Sequence, residues 1–223
     1  MKKIKILSTK ILNKNLREMF DDKKFDLFEH DFIKISSLNF ELPEHSGSWI
    51  FTSQNAVDAV FSISKNINLI FDKIYCVGEN TKSILSKHGQ KVEKNLKNSS
   101  KLANFISKKA KNEKFLFCRS NIKNDDFTAF FKKEKIDLKE IAVYNNKPSS
   151  VVLKDKFEAI MFYSPSGIKS FLKNNKLGSS YCICIGETTA NYAKNYSSNV
   201  LSCKTPSIKH VIDKTIKLFA NEL

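Results

Sequence analysis

Arginine is almost missing from this chain. Of its 38 basic residues only Arg17 and Arg119 are arginine, and the others are lysine. The planar guanidinium fork is the usual bidentate reader of guanine and phosphate, so its scarcity argues against a nucleic-acid partner. Long apolar runs are also missing: nothing approaches the ~20 residues of a membrane span. The four histidines, His30, His45, His88 and His210, are scattered without metal-ligand spacing. Five cysteines lack paired motif spacing, which points to a reducing, cytoplasmic setting. Cys182 and Cys184 alternate along one stretch and read as small core residues of a strand. No Cys–His or Ser–His–Asp constellation and no paired-carboxylate motif is present. That absence is compatible with chemistry done by binding and positioning, and equally with a protein that catalyses nothing.

What the chain does have is core-forming material and charge. It has 223 residues, 41% of them hydrophobic and 18 of them phenylalanine, enough for one large domain or two small ones. Its start, Met1-Lys2-Lys3-Ile4-Lys5-Ile6-Leu7-Ser8, reads as a first strand, being too short for a signal peptide. The net charge of +15 favours a polyanionic partner and speeds its encounter. Lysine abundance beside abundant Asn, Ile and Phe also resembles AT-rich coding bias, so many lysines are expected on solvated helix faces.

The chain repeats itself. Ile50-Phe51-Thr52-Ser53 runs into a helical pattern at Val57, Val60 and Phe61. Phe162-Tyr163-Ser164 does the same at Ile168, Phe171 and Leu172. Cys76-Val77-Gly78-Glu79-Asn80-Thr81 is echoed by Cys184-Ile185-Gly186-Glu187-Thr188-Thr189. Both pairs are offset by about 110 residues, far beyond a solenoid period, so they mark two copies of one α/β unit.

The wider pattern alternates strands with helices, which predicts parallel sheets covered on both faces. Strands are expected at Lys3–Ser8, Phe25–His30, Trp49–Thr52, Lys73–Val77, Lys114–Cys118, Ala159–Tyr163, Tyr181–Ile185 and Val200–Ser202. Phe32–Ser36 alternates as an exposed strand, Leu138–Tyr144 reads as a strand leaving the middle unit, and Asn145–Ser150 as a linker. Ligands of such folds lie beyond the carboxyl ends of the strands, where helices begin. Those starts are rich in small hydroxyl residues: Thr52-Ser53, Asn80-Thr81, Ser99-Ser100, Ser164-Ser166, Thr188-Thr189 and Thr205. Each alone is an ordinary N-cap. Together they predict many N–H groups and hydroxyls suited to several carboxylates or phosphates.

In order, Phe51-Thr52-Ser53-x-Asn55-Ala56-Val57, Val77-Gly78-x-x-Thr81, Ala142-Val143-Tyr144, Phe162-x-Ser164-Pro165-Ser166-Gly167, Ile185-Gly186-x-Thr188-Thr189-Ala190 and Thr205-Pro206-Ser207 resemble the uroporphyrinogen-III synthase family. The resemblance spans almost the whole chain. It departs at Thr9-Lys10-Ile11, where the family usually shows Thr-Arg-Pro, so charge is kept and the planar fork lost.

The resemblance implies two similar parallel-sheet, three-layer α/β domains joined by a two-stranded β ladder. One would comprise residues 1–36 with 146–223, the other 37–145. It implies closure of hydroxymethylbilane, a linear tetrapyrrole with an acetate and a propionate on each ring, with inversion of the last ring through a spirocyclic intermediate. It implies no cofactor and no metal. Tyr144 matches the family's tyrosine beside the cleft and becomes the candidate proton donor to the departing hydroxyl. Thr52, Ser53, Ser100, Ser164, Ser166, Gly167, Thr188 and Thr189 are assigned to carboxylate binding, largely through backbone N–H groups, with Lys10, Lys101 and Arg119 adding charge. A small-molecule substrate, no nucleic acid, no membrane and a cytoplasmic monomer are expected. Two alternatives stay open from the residues: a non-catalytic two-lobed anion-binding protein, and a nucleic-acid binder, which would explain the charge but not the repeat.

Overall fold

The computed structural model describes residues 3–44, 47–63, 69–123 and 125–220. The chain divides into two compact units, Met1–Lys34 with Lys147–Leu223, and Ile35–Asn146.

The first unit is built on five parallel strands. They are β1 (Ile4–Ser8), β2 (Phe25–Glu29), β9 (Ala159–Phe162), β10 (Tyr181–Cys184) and β11 (Val200–Ser202), in the order β11-β10-β9-β1-β2. Alternate side chains serve opposite faces. Ile160, Phe162, Cys182 and Cys184 meet Ile168 and Phe171 of α6 (Pro165–Phe171) and Ala190 and Ala193 of α7 (Glu187–Ala193). Ala159, Met161 and Ile183 meet Val211 and Ile212 of α8 (Ile208–Leu218) on the other face. Short α1 (Lys14–Arg17) connects β1 to β2. The run of buried residues on both faces explains why these strands read as continuously apolar.

The second unit repeats that order. Its strands are β4 (Ser48–Phe51), β5 (Ile74–Val77), β6 (Lys94–Leu96), β7 (Phe115–Ser120) and β8 (Leu138–Pro148), with β3 (Ile33–Ser37) outermost, ordered β3-β8-β7-β4-β5-β6. Trp49, Phe51, Cys76, Leu116 and Cys118 pack toward α2 (Gln54–Ile63) and α3 (Glu79–Lys87). Ile50, Tyr75, Phe115 and Phe117 pack toward α4 (Ser99–Lys109) and α5 (Asp125–Lys133). The series β11-β10-β9-β1-β2 thus corresponds to β6-β5-β4-β7-β8, and β9 and β4 carry the repeat seen in the sequence. The strands β3 and β8 form the ladder at the two places where the chain passes between units.

Several expected boundaries move. Asn145–Pro148 is strand, not linker: β8 continues past Tyr144, where its pairing with β7 ends, with β3 as its other neighbour in the sheet. Asn98, not Ser99 or Ser100, caps α4, because its side chain accepts from the Lys101 N–H at 2.9 Å. Ser207, not Thr205, caps α8 and accepts from the His210 N–H. Pro206 instead lies against Gly186, whose missing Cβ would sit 3.5 Å from its ring. Among the described residues no helix is long and apolar enough to cross a membrane. His45 lies outside the described residues.

Candidate functional site

Because the strands run parallel, each unit gathers its strand-to-helix turns on one edge, and the sequence-predicted residues fall there.

In the second unit, Thr52 and Ser53 follow β4, and Ser53 starts α2. Its Oγ accepts from the Ala56 N–H at 3.2 Å and donates to Tyr144 Oη at 3.0 Å. A bulge in β8 opposite Ser120 advances Tyr144 to the end of β7, within reach of that serine. Tyr144 is 8% exposed and belongs to the core cluster under α2. Since the single hydroxyl proton of Ser53 is directed at the phenol oxygen, the phenol's own proton is left to be donated elsewhere.

Arg119 at the end of β7 is held by two partners. Its Nε donates to Glu140 Oε2 at 2.5 Å and its Nη1 to the Ser120 carbonyl at 2.8 Å, with both partners of the ion pair mostly buried. Arg119 is thus paired with a protein carboxylate as well as being the cation expected near a substrate. Ser100 and Lys101 lie exposed in the first turn of α4, with the Lys101 N–H taken by Asn98.

In the first unit, Ser164 caps α6 by accepting from the Gly167 N–H at 3.1 Å, and Pro165 has no N–H. Gly167 is buried and its donor used, so in the α6 first turn the Ser166 N–H is the donor left without a local acceptor. Thr188 is exposed, whereas Thr189 is 3% exposed. The Thr189 hydroxyl thus belongs to the packed interior, and only its backbone N–H remains a candidate.

Among the described helix starts, two are built differently. Gly78 before α3 and Gly186 before α7 provide no capping side chain, so the first-turn N–H groups of both helices have no local side-chain acceptor. Gly78 has φ 86°, a left-handed conformation that glycine adopts without strain. Glu79 and Glu187 open these helices and offset part of the positive field there. Glu79 also accepts from Asn95 Nδ2 at 2.6 Å.

Sequence reasoning missed a matched pair of serine clamps. Ser8 ends β1, and its Oγ donates to the Lys10 carbonyl at 2.5 Å and faces the Lys10 N–H at 3.4 Å. Ser120 ends β7, the equivalent strand, and its Oγ donates to the Ile122 carbonyl at 3.1 Å and accepts from the Ile122 N–H at 3.2 Å. The available signal was a serine closing each apolar strand two residues before an exposed loop tip. Ser8 Oγ also lies 3.1 Å from Tyr163 Oη. Burial pushes the Tyr163 phenol well above its ordinary range. Burial likewise raises the thiols, Cys182 to about 11 and both Cys76 and Cys184 to about 12, so none is a poised nucleophile.

Comparison with known proteins gives a family. The model described as uroporphyrinogen-III synthase HemD matches residues 30–213. A porphyrin biosynthesis protein HemD of Ruminiclostridium josui is 27% identical over 190 residues, covering 76% of this chain. The matched part spans only 38% of that relative's length. The uroporphyrinogen-III synthetase of Helicobacter pylori superposes with a TM-score of 0.68 at 21% identity, over 96% of this chain and 99% of the other. A mutant uroporphyrinogen III synthase of Thermus thermophilus gives 0.75 at 8% identity, over 98% and 99%. At these identities the two structures speak to the fold.

Proposed function

Because the chain belongs to the uroporphyrinogen-III synthase family, we propose that it closes hydroxymethylbilane to uroporphyrinogen III, inverting the last ring, and that it does so as a monomer in the cytoplasm. The family match across residues 30–213 carries this reading. The substrate's acid side chains need donors, and the uncapped first turns of α3 and α7, the Ser166 N–H, Thr52, Thr188, Ser100 and the amines of Lys10 and Lys101 are the groups available on the carboxyl edges.

The chemistry asks little of side chains. Loss of the substrate hydroxyl, protonated as it leaves, yields water and an electron-poor methylene. The substituted carbon of the last ring attacks that methylene to give the spirocycle, which reopens and closes in the inverted order. Substrate and product differ by one water. The protein's part is to hold the chain so that this carbon reaches the methylene before the free one does. Tyr144 supplies the departing proton in this reading, a role supported by the Ser53 hydrogen bond that leaves the phenol proton free.

Incubation with freshly made hydroxymethylbilane, followed by oxidation and separation of the porphyrin isomers, tests the proposal. The expected product is isomer III. Isomer I alone, as buffer gives, overturns it and returns the field to a non-catalytic anion-binding protein.

A further inference from the structure

The two serine clamps hold loops of the same composition. After β1 come Lys10 and Ile11, and after β7 come Ile122 and Lys123, all four exposed. Ile11 is 53% exposed and Ile122 49% exposed. Neither loop tip is loosely tethered. The Ile11 N–H donates to Asp31 Oδ1 at 2.9 Å and the Leu12 N–H to Glu29 Oε1 at 2.7 Å. In the other unit the Asn121 N–H donates to the Tyr144 carbonyl at 2.9 Å, and Ile122 is held at both its N–H and its carbonyl. Among the described residues neither Lys10 nor Lys123 forms an ion pair.

An exposed isoleucine alone means nothing. Here two of them follow topologically equivalent strands, at the carboxyl edge of each unit, on loops fixed by the same hydroxyl geometry, each beside a lysine without an ion pair among the described residues. A pyrrole bearing acid side chains has the complementary make-up: an apolar face with a carboxylate at its rim. The N–H groups at helix starts bind carboxylates but offer the ring faces no apolar contact.

Resting on the function proposed above, we propose that Lys10–Ile11 and Ile122–Lys123 are two substrate-positioning loops. Each lays its isoleucine against one pyrrole and directs its lysine to a carboxylate on that ring. They act on where the rings lie, not on proton transfer.

The test compares Ile11→Ser, Ile122→Ser and the double variant with Ile70→Ser. Ile70 is 77% exposed and precedes β5, on the opposite edge of its sheet, which makes it a control of equal chemistry. Each loop variant should raise KM about fivefold, as expected for losing half of an isoleucine's burial, with kcat nearly kept and the thermal midpoint unchanged. The double variant should also release a larger share of isomer I, since a poorly held chain closes in the plain order. Lys123→Gln should raise KM and weaken its dependence on salt. If the wild type forms isomer III while the loop variants match Ile70→Ser in KM and isomer ratio, the loop assignment is overturned and the activity stands. If the wild type forms only isomer I, the activity falls and the assignment with it.

Discussion

Ser53 Oγ donates to Tyr144 Oη at 3.0 Å while accepting from the Ala56 N–H, so one hydroxyl both caps a helix and orients a phenol. Tyr144→Phe should then lower kcat about a hundredfold, the scale of one general acid. It should cost stability no more than about 1 kcal/mol, the net value of one hydrogen bond. Steady-state kinetics and thermal melting separate the two, and unchanged kcat would remove the proton-donor role. Ser53→Ala loses the cap as well, and should destabilise by about 1–2 kcal/mol.

The glycines at the two uncapped helix starts should respond differently to alanine. Gly78 has φ 86° with nothing within 4 Å of an added Cβ, so Gly78→Ala is strained by backbone conformation alone. Its expected cost is about 1–2 kcal/mol. Gly186 has φ −173°, open to any residue, and its added Cβ would touch Pro206 at an ordinary 3.5 Å. Gly186→Ala should leave the melting temperature nearly unchanged, and equal losses at both sites would contradict this account.

Glu113 ties three strand starts together at the edge away from the candidate site. It accepts from Ser48 Oγ at 2.6 Å, Lys73 Nζ at 2.6 Å and Tyr75 Oη at 3.0 Å. Burial works to raise its pKa, but the hydrogen bonds from Lys73, Ser48 and Tyr75 outweigh it and hold the carboxyl below 4.5. A depressed carboxyl contributes stability that is fully present above 4.5 and fades as pH falls through the lower folded value. Glu113→Gln should therefore be less stable than the wild type at neutral pH, with the gap closing in acid. Urea midpoints across pH check this, and a pH-independent gap would disprove it.

All five cysteines are buried, with their thiols protonated at neutral pH. Iodoacetamide should modify none of them in the native protein and all five after unfolding, read by mass. A native adduct on any cysteine would show that burial does not protect it.

Much of the architecture was present in the linear order of residues. Strand-length apolar runs such as Ala159–Phe162, followed by Ser164 and Pro165, specify an element and its successor through local preference and burial. The same cue at Phe51–Ser53 marked the second copy. Which hydroxyls face a ligand was not present there. Thr188 and Thr189 are neighbours of one chemical type, yet one is exposed and the other packed, because the helix face turned to the sheet decides it. The Arg119–Glu140 ion pair was not present there either, since ion pairing depends on register between strands. The serine clamps likewise needed the sheet order, which reveals β1 and β7 as counterparts although their sequences do not match. Local preference can write strands, turns and helices along a chain; only packing decides which polar groups are consumed by the fold and which are left for a substrate.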